Sequence, residues 1–173
     1  MSKHRSSTTH RRKIAIATLA VAAVGVPSAA MASQSATPAG SPSATTAAAT
    51  DQQEVVDLVN SERSKAGCEP LTVNAKLTKA AQDHSEDMAA HRNMSHTGSD
   101  GSSPGDRIER AGYSWRAYGE NVAYGYDSPK SVMEGWMNSS GHKANILNCD
   151  FKEIGVGLAQ PGNYWTQDFG TAR

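Results

Sequence analysis

The 173-residue chain balances 17 basic against 17 acidic residues and contains two cysteines. The balance is uneven: the first 13 residues hold five basic residues and no acid, leaving 12 basic against 17 acidic residues, a formal charge of −5, for the remainder. An acidic remainder without a Lys/Arg cluster excludes nucleic acid as a partner, because such binding rests on neutralising phosphates.

The chain opens with Lys3, Arg5, Arg11, Arg12 and Lys13, followed by an apolar run from Ile14 to Val26 and then Pro27-Ser28-Ala29-Ala30-Met31-Ala32. A charged start, an apolar middle and a small-residue end predict a secretory signal peptide over residues 1–32 and a secreted, extracellular product. The 13-residue run is short against the roughly 20 residues a spanning helix requires, so no membrane span is expected in the mature chain. Residues 33–50 contain only Ala, Ser, Thr, Pro, Gly and Gln, and so lack the apolar surface to offset ordering entropy; they are expected to be a disordered linker. Residues 51–173 suffice for one domain with its own core.

Within that domain, Val55, Val56, Leu58 and Val59 predict a helix from Gln52 to Lys65, stopped by Gly67. Leu71 and Val73 form an extended link, and Asn74 is placed to cap a second helix from Ala75 to about Asn93. The buried stripe expected on that helix is Leu77, Ala80, Ala81, His84, Met88 and His91. Pro104 opens a short helix that Gly112 ends, and Tyr118 to Tyr126 reads as strand or extended loop. A helix starting at Ser128-Pro129 carries Val132, Met133, Trp136 and Met137, and a further helical turn or two runs from His142 to Leu147. Finally, Ile154, Val156 and Leu158 alternate with Gly155, Gly157 and Ala159, and a Pro161-Gly162-Asn163 turn joins them to Tyr164–Phe169. This is an antiparallel hairpin, and its alternate small residues predict a helix approaching one face closely. Helices first and a hairpin last give an α+β fold.

In an oxidising compartment, Cys68 and Cys149 form a disulfide most simply. Of the domain's histidines, His84 and His91 lie on a helix stripe and read as packing residues, whereas His96 and His142 lie at element ends, where side chains face clefts. No HExxH, no Cys/His ligand cluster and no GxSxG elbow occurs.

Six stretches, taken together and in order, resemble the CAP superfamily, the cysteine-rich secretory, antigen 5 and pathogenesis-related-1 (SCP) domain, in its compact bacterial form. They are VVDLVNSERSKAGCEPLTVNAKLTKAAQDHSEDMA, SHTGSDGSSPGDRIERAGY, GENVAYG, VMEGWMNSSGHKANIL, EIGVGLA and YWTQDFG. The resemblance implies that residues 51–173 are a CAP domain, an α-β-α sandwich with a large cleft. It further implies that two histidines and two acids line the cleft and can hold a divalent cation, often zinc. Matched block by block, these are His96, Glu120 and His142, with Glu134 the nearest candidate for the second acid, because Ser139 stands where longer relatives carry a glutamate. A non-catalytic extracellular binding module is the first expectation, acting as a monomer on a lipid, an envelope glycan or another protein. A metal-assisted, peptidase-like hydrolase with Glu120 as proton acceptor is the alternative.

Overall fold

Helix formation starts earlier than the composition suggests. The structure, a computed structural model, describes residues 44–173, so the expected signal peptide and residues 33–43 of the expected linker lie outside the described residues. The first helix, α1, spans Ala44–Lys65, and the last seven residues of the expected linker are therefore helical. Alanine is the best helix former, and adding turns to an existing helix is far easier than nucleating one. Ala48 also packs against the core, which rewards the extension.

After β1 (Thr72–Val73), Asn74 caps α2 (Ala75–His91) by accepting from the backbone N–H groups of Lys76 and Leu77. Leu77, Ala80, Ala81, His84 and Met88 are buried as the stripe predicts, but His91 is exposed and bonds the Asp87 carbonyl. Met88 and Ala89 pack on Ala159 and Tyr164 at the hairpin's turn end, so the final turn of α2 runs past the sheet that would have covered His91. The left-handed backbone of Arg92 ends the helix two residues before the expected limit.

The short helix α3 (Pro104–Arg110) carries a reciprocal Ser103/Asp106 capping box. Next come β2 (Trp115–Tyr124), α4 (Pro129–Met137), α5 (Ser140–Ile146), β3 (Glu153–Ala159) and β4 (Tyr164–Ala172). The sheet order is β1-β3-β4-β2, with β1 parallel to β3 and the other pairs antiparallel, so β2 is an outer strand. One sheet face packs on α2 and α3 through Leu77, Ile108 and Tyr113, and the other on α1, α4 and α5 through Val55, Val132, Trp136 and Ile146. The result is an α-β-α sandwich within the α+β class.

The predicted close helix approach is present. A Cβ on Gly155 would overlap the backbone of Leu77 and Thr78, and one on Gly157 the backbone of Ala81 and Gln82. The glycines let α2 lie directly on β3. Two side-chain donors also reach β2: Asn145 Nδ2 bonds the Glu120 carbonyl at 3.1 Å and Trp136 Nε1 the Val122 carbonyl at 3.3 Å.

The two ends of the domain meet at a second polar junction. Cys68 and Cys149 form the expected disulfide across 81 positions of sequence. Beside it, Arg63 is 0 % exposed and donates to four backbone carbonyls, those of Glu69, Ile146, Asn148 and Phe151, at 2.8–3.1 Å.

Candidate functional site

Glu120 lies in β2 directly opposite Asp168 of β4, so both side chains share the sheet face that α2 covers. Three segments converge on it. The loop after α2 is pinned where His84 Nε2 meets the Ser95 carbonyl at 2.8 Å. That contact sets the next residue, His96, over the strand, with its Nδ1 2.7 Å from Glu120 Oε1. From α3, Arg107 Nη2 donates to Glu120 Oε2 at 2.5 Å while its Nη1 holds the Ser102 carbonyl at 2.9 Å. His84 Nε2 stands 4.0 Å from Glu120 Oε2.

The last member comes from the opposite layer. Asn145 Nδ2 of α5 donates to the Glu120 carbonyl at 3.1 Å and to Asn121 Oδ1 at 2.8 Å, and Asn121 in turn donates to Gln167 and to the His142 carbonyl. His142, three residues before Asn145, lies on the same helix face and is half-buried. Glu134 is exposed on α4 and hydrogen-bonds none of the site side chains.

The polar environment sorts the titrating groups. The hydrogen bond to Glu120 raises the His96 pKa above the usual imidazole value. Burial lowers that of His84, and burial followed by the charge of His96 lowers that of His142, so these two rings stay neutral more readily. Asp168 is completely buried, and neither oxygen meets a donor from another residue. Burial first, and the Glu120 charge second, push its carboxyl well above the usual range. That shift favours the protonated carboxyl beside the Glu120 charge.

Glu120 does not fit as a direct cation ligand. One oxygen faces an imidazole and the other a guanidinium, and among the described residues no group of three or more His, Cys, Asp or Glu side chains is arranged to hold a metal ion. The imidazoles fit better: with Nδ1–H donated to Glu120, His96 keeps an Nε2 lone pair, and a carboxylate behind a histidine is how proteins orient a metal-binding ring. Sequence reasoning missed Arg107 and Asp168 and read His84 only as packing. The signal for Asp168 was an acid between Trp165 and Phe169 in a strand of the hairpin whose face the alternate glycines already placed under a helix.

The α-β-α sandwich, with His96 and Glu120 in contact at the outer strand β2, places the chain among the SCP-type folds. The profile of the cysteine-rich secretory protein (CAP) family matches residues 56–169, and the chain belongs to that family. It is 42 % identical over 118 residues to YkwD of Bacillus subtilis, covering 68 % of this chain and 46 % of YkwD. Among solved structures, it is similar to an extracellular SCP-domain protein of Bacillus anthracis (TM-score 0.71, 29 % identity, 76 % of this chain and 45 % of that one). An outer surface protein of Borrelia burgdorferi shares the fold (TM-score 0.68, 24 % identity, 72 % and 94 % covered). The match thus spans about half the length of YkwD and of the Bacillus anthracis protein.

Proposed function

We propose that the protein is an extracellular, non-catalytic binding module whose cleft presents His96 and His142 to a lipid, an envelope glycan or another protein. The observation that carries this reading is the state of Glu120: buried, with one oxygen on His96 and the other on Arg107. Both oxygens are thus engaged within the protein and neither is left to face a metal-bound water, which weighs against the metal-assisted hydrolase. His96, by contrast, is 54 % exposed and available to a ligand. Extracellular action is supported by the relative described as an extracellular protein and by the signal-like start of the chain.

His96 Nε2 and His142 are the groups that would hold a divalent cation such as zinc, which would offer its remaining coordination positions to ligand oxygens. Two experiments test the reading. Calorimetric titration with zinc should give binding to the wild type that His96→Ala/His142→Ala removes; equal titration of both proteins defeats the cation part. Assays with casein, wall polymer and ester substrates, with and without zinc, should show no turnover. Reproducible turnover abolished by Glu120→Gln would replace the binding module with the hydrolase.

A further inference from the structure

At the turn end of the hairpin, beyond the last turn of α2, a cavity of about 350 Å³ is lined by Arg92, Met94, Tyr124, Pro161, Gly162 and Tyr164. That volume is at the small end of the range for ligand pockets and suits a single ring better than a long chain. Tyr124 lies on the same sheet face as Glu120, four residues further along β2 and so roughly 13 Å away.

The groups that line this cavity face water. Tyr124 is 55 % exposed and Met94 51 %, and Arg92 and Pro161 are exposed as well. Tyr124 is nevertheless held in place. Its ring rests on the buried ring of Tyr164, with centroids 4.7 Å apart, and both rings close over Gly162, where a Cβ would stand 3.0 Å from each. An aromatic face fixed in advance loses little freedom on binding. That face is electron-rich, so it attracts the positively polarised C–H groups of a ring bearing oxygen substituents.

Charge narrows the occupant further. Lys79 on α2 and Arg110 on α3 each pair with an aspartate, at 2.8 and 2.9 Å. Arg92 has no carboxylate partner among the described residues, and no acid lines the cavity. A free guanidinium matches a carboxylate in both charge and shape. The same charge disfavours a cationic ligand, which aromatic rings alone would suit.

We infer that this cavity is a subsite for an acidic sugar, its ring stacked on Tyr124 and its carboxylate toward Arg92. A sugar fits better than an apolar chain because the open side leaves its hydroxyls in water. The inference rests on the reading of the protein as an extracellular binding module and selects the glycan among its ligands. Because it uses neither His96 nor His142, failure of the zinc titration leaves it standing.

The test is a nuclear magnetic resonance titration of the full chain with D-glucuronate, against D-glucose, acetate and D-glucosamine, and with phosphatidylglycerol vesicles as an anionic lipid surface. Glucuronate should shift the amides of Met94, Gly125 and Gly162 saturably and bind about tenfold more tightly than glucose, the worth of a charge-assisted hydrogen bond. Arg92→Gln should remove that preference, and Tyr124→Ala should weaken glucuronate binding about fivefold through loss of the stacked face. Both positions are exposed, so both variants should fold. The subsite is overturned if glucuronate gives no saturable shifts, if acetate or glucosamine binds as tightly, or if either variant titrates like the wild type. Vesicles that shift these amides while glucuronate does not would replace the sugar with a lipid surface.

Discussion

Arg63 and Arg107 are both withdrawn from water, at 0 % and 8 % exposure, and they are compensated in opposite ways. Arg63 distributes its donors over four backbone carbonyls and pairs with no carboxylate among the described residues. Arg107 holds one carbonyl and one carboxylate, and its Nε has no partner. The first is a closed staple between α1 and the disulfide-bearing loop, with every partner fixed by the backbone. The second sits among incomplete side chains: Asp168 without a donor, His84 and Ser102 each with an unpaired atom. A buried polar group that is fully satisfied holds a fold together, whereas a cluster left partly open is where binding and proton exchange remain possible.

The largest effect should come from the staple. Removing the disulfide with Cys68→Ser/Cys149→Ser should cost about 4.5 kcal/mol in the loop-entropy account for its span, and Arg63→Met about 3–4 kcal/mol through four orphaned carbonyls. Because two of those carbonyls flank Leu147, beside Cys149, the combined loss in urea denaturation should fall short of the sum. Strict additivity would show two independent devices.

Arg107→Met should cost about 3 kcal/mol by leaving Glu120 without its cation, and adding Glu120→Gln should recover most of it. No single partner change can rescue Arg63→Met in that way. A double variant no more stable than Arg107→Met alone would erase the contrast between the arginines.

A smaller effect concerns Asp168. Its folded-state pKa is raised, so the unfolded chain releases the proton first. Stability is then present below the unfolded value near 3.8 and declines as pH rises toward the folded one. Asp168→Asn keeps a donor toward Glu120 and should abolish that decline. The expected gain at pH 7 is about 1–2 kcal/mol, a few degrees in Tm, with none at pH 3. Equal stability at both pH values would mean that Asp168 is not the proton holder.

His96→Ala should do least, under about 1 kcal/mol, since the ring is largely exposed. Its folded pKa is raised, so its contribution is complete below the unfolded value of 6.5 and lost as pH rises through the folded value. Thermal melts at pH 5.5 and 8.5 should differ for the wild type relative to the variant in that direction.

What could be read from the sequence was local or periodic: the Asn74 cap, the Pro104 helix start, the hairpin turn and the glycine alternation of β3 each depend on neighbours a few positions away. The family's blocks supplied His96, Glu120 and His142, and the first two meet directly. The unread features depend on contacts between distant segments. Glu120 meets Arg107 because α3 packs beside β2, and Asp168 because β2 and β4 pair in one particular register. His91 obeyed the helix period yet missed burial, since periodicity does not say where the facing sheet stops. The start of α1 was misplaced for a similar reason: composition alone does not register that Ala48 has a core to rest on.

The donors that reach β2 have a consequence for how the molecule coexists with its neighbours. An unoccupied outer strand invites another chain to continue the ladder, a route to aggregation. With the Glu120 and Val122 carbonyls engaged by Asn145 and Trp136, that stretch offers no acceptors for such growth. Helices α4 and α5, through these two side chains, thus also guard the sheet against self-templating.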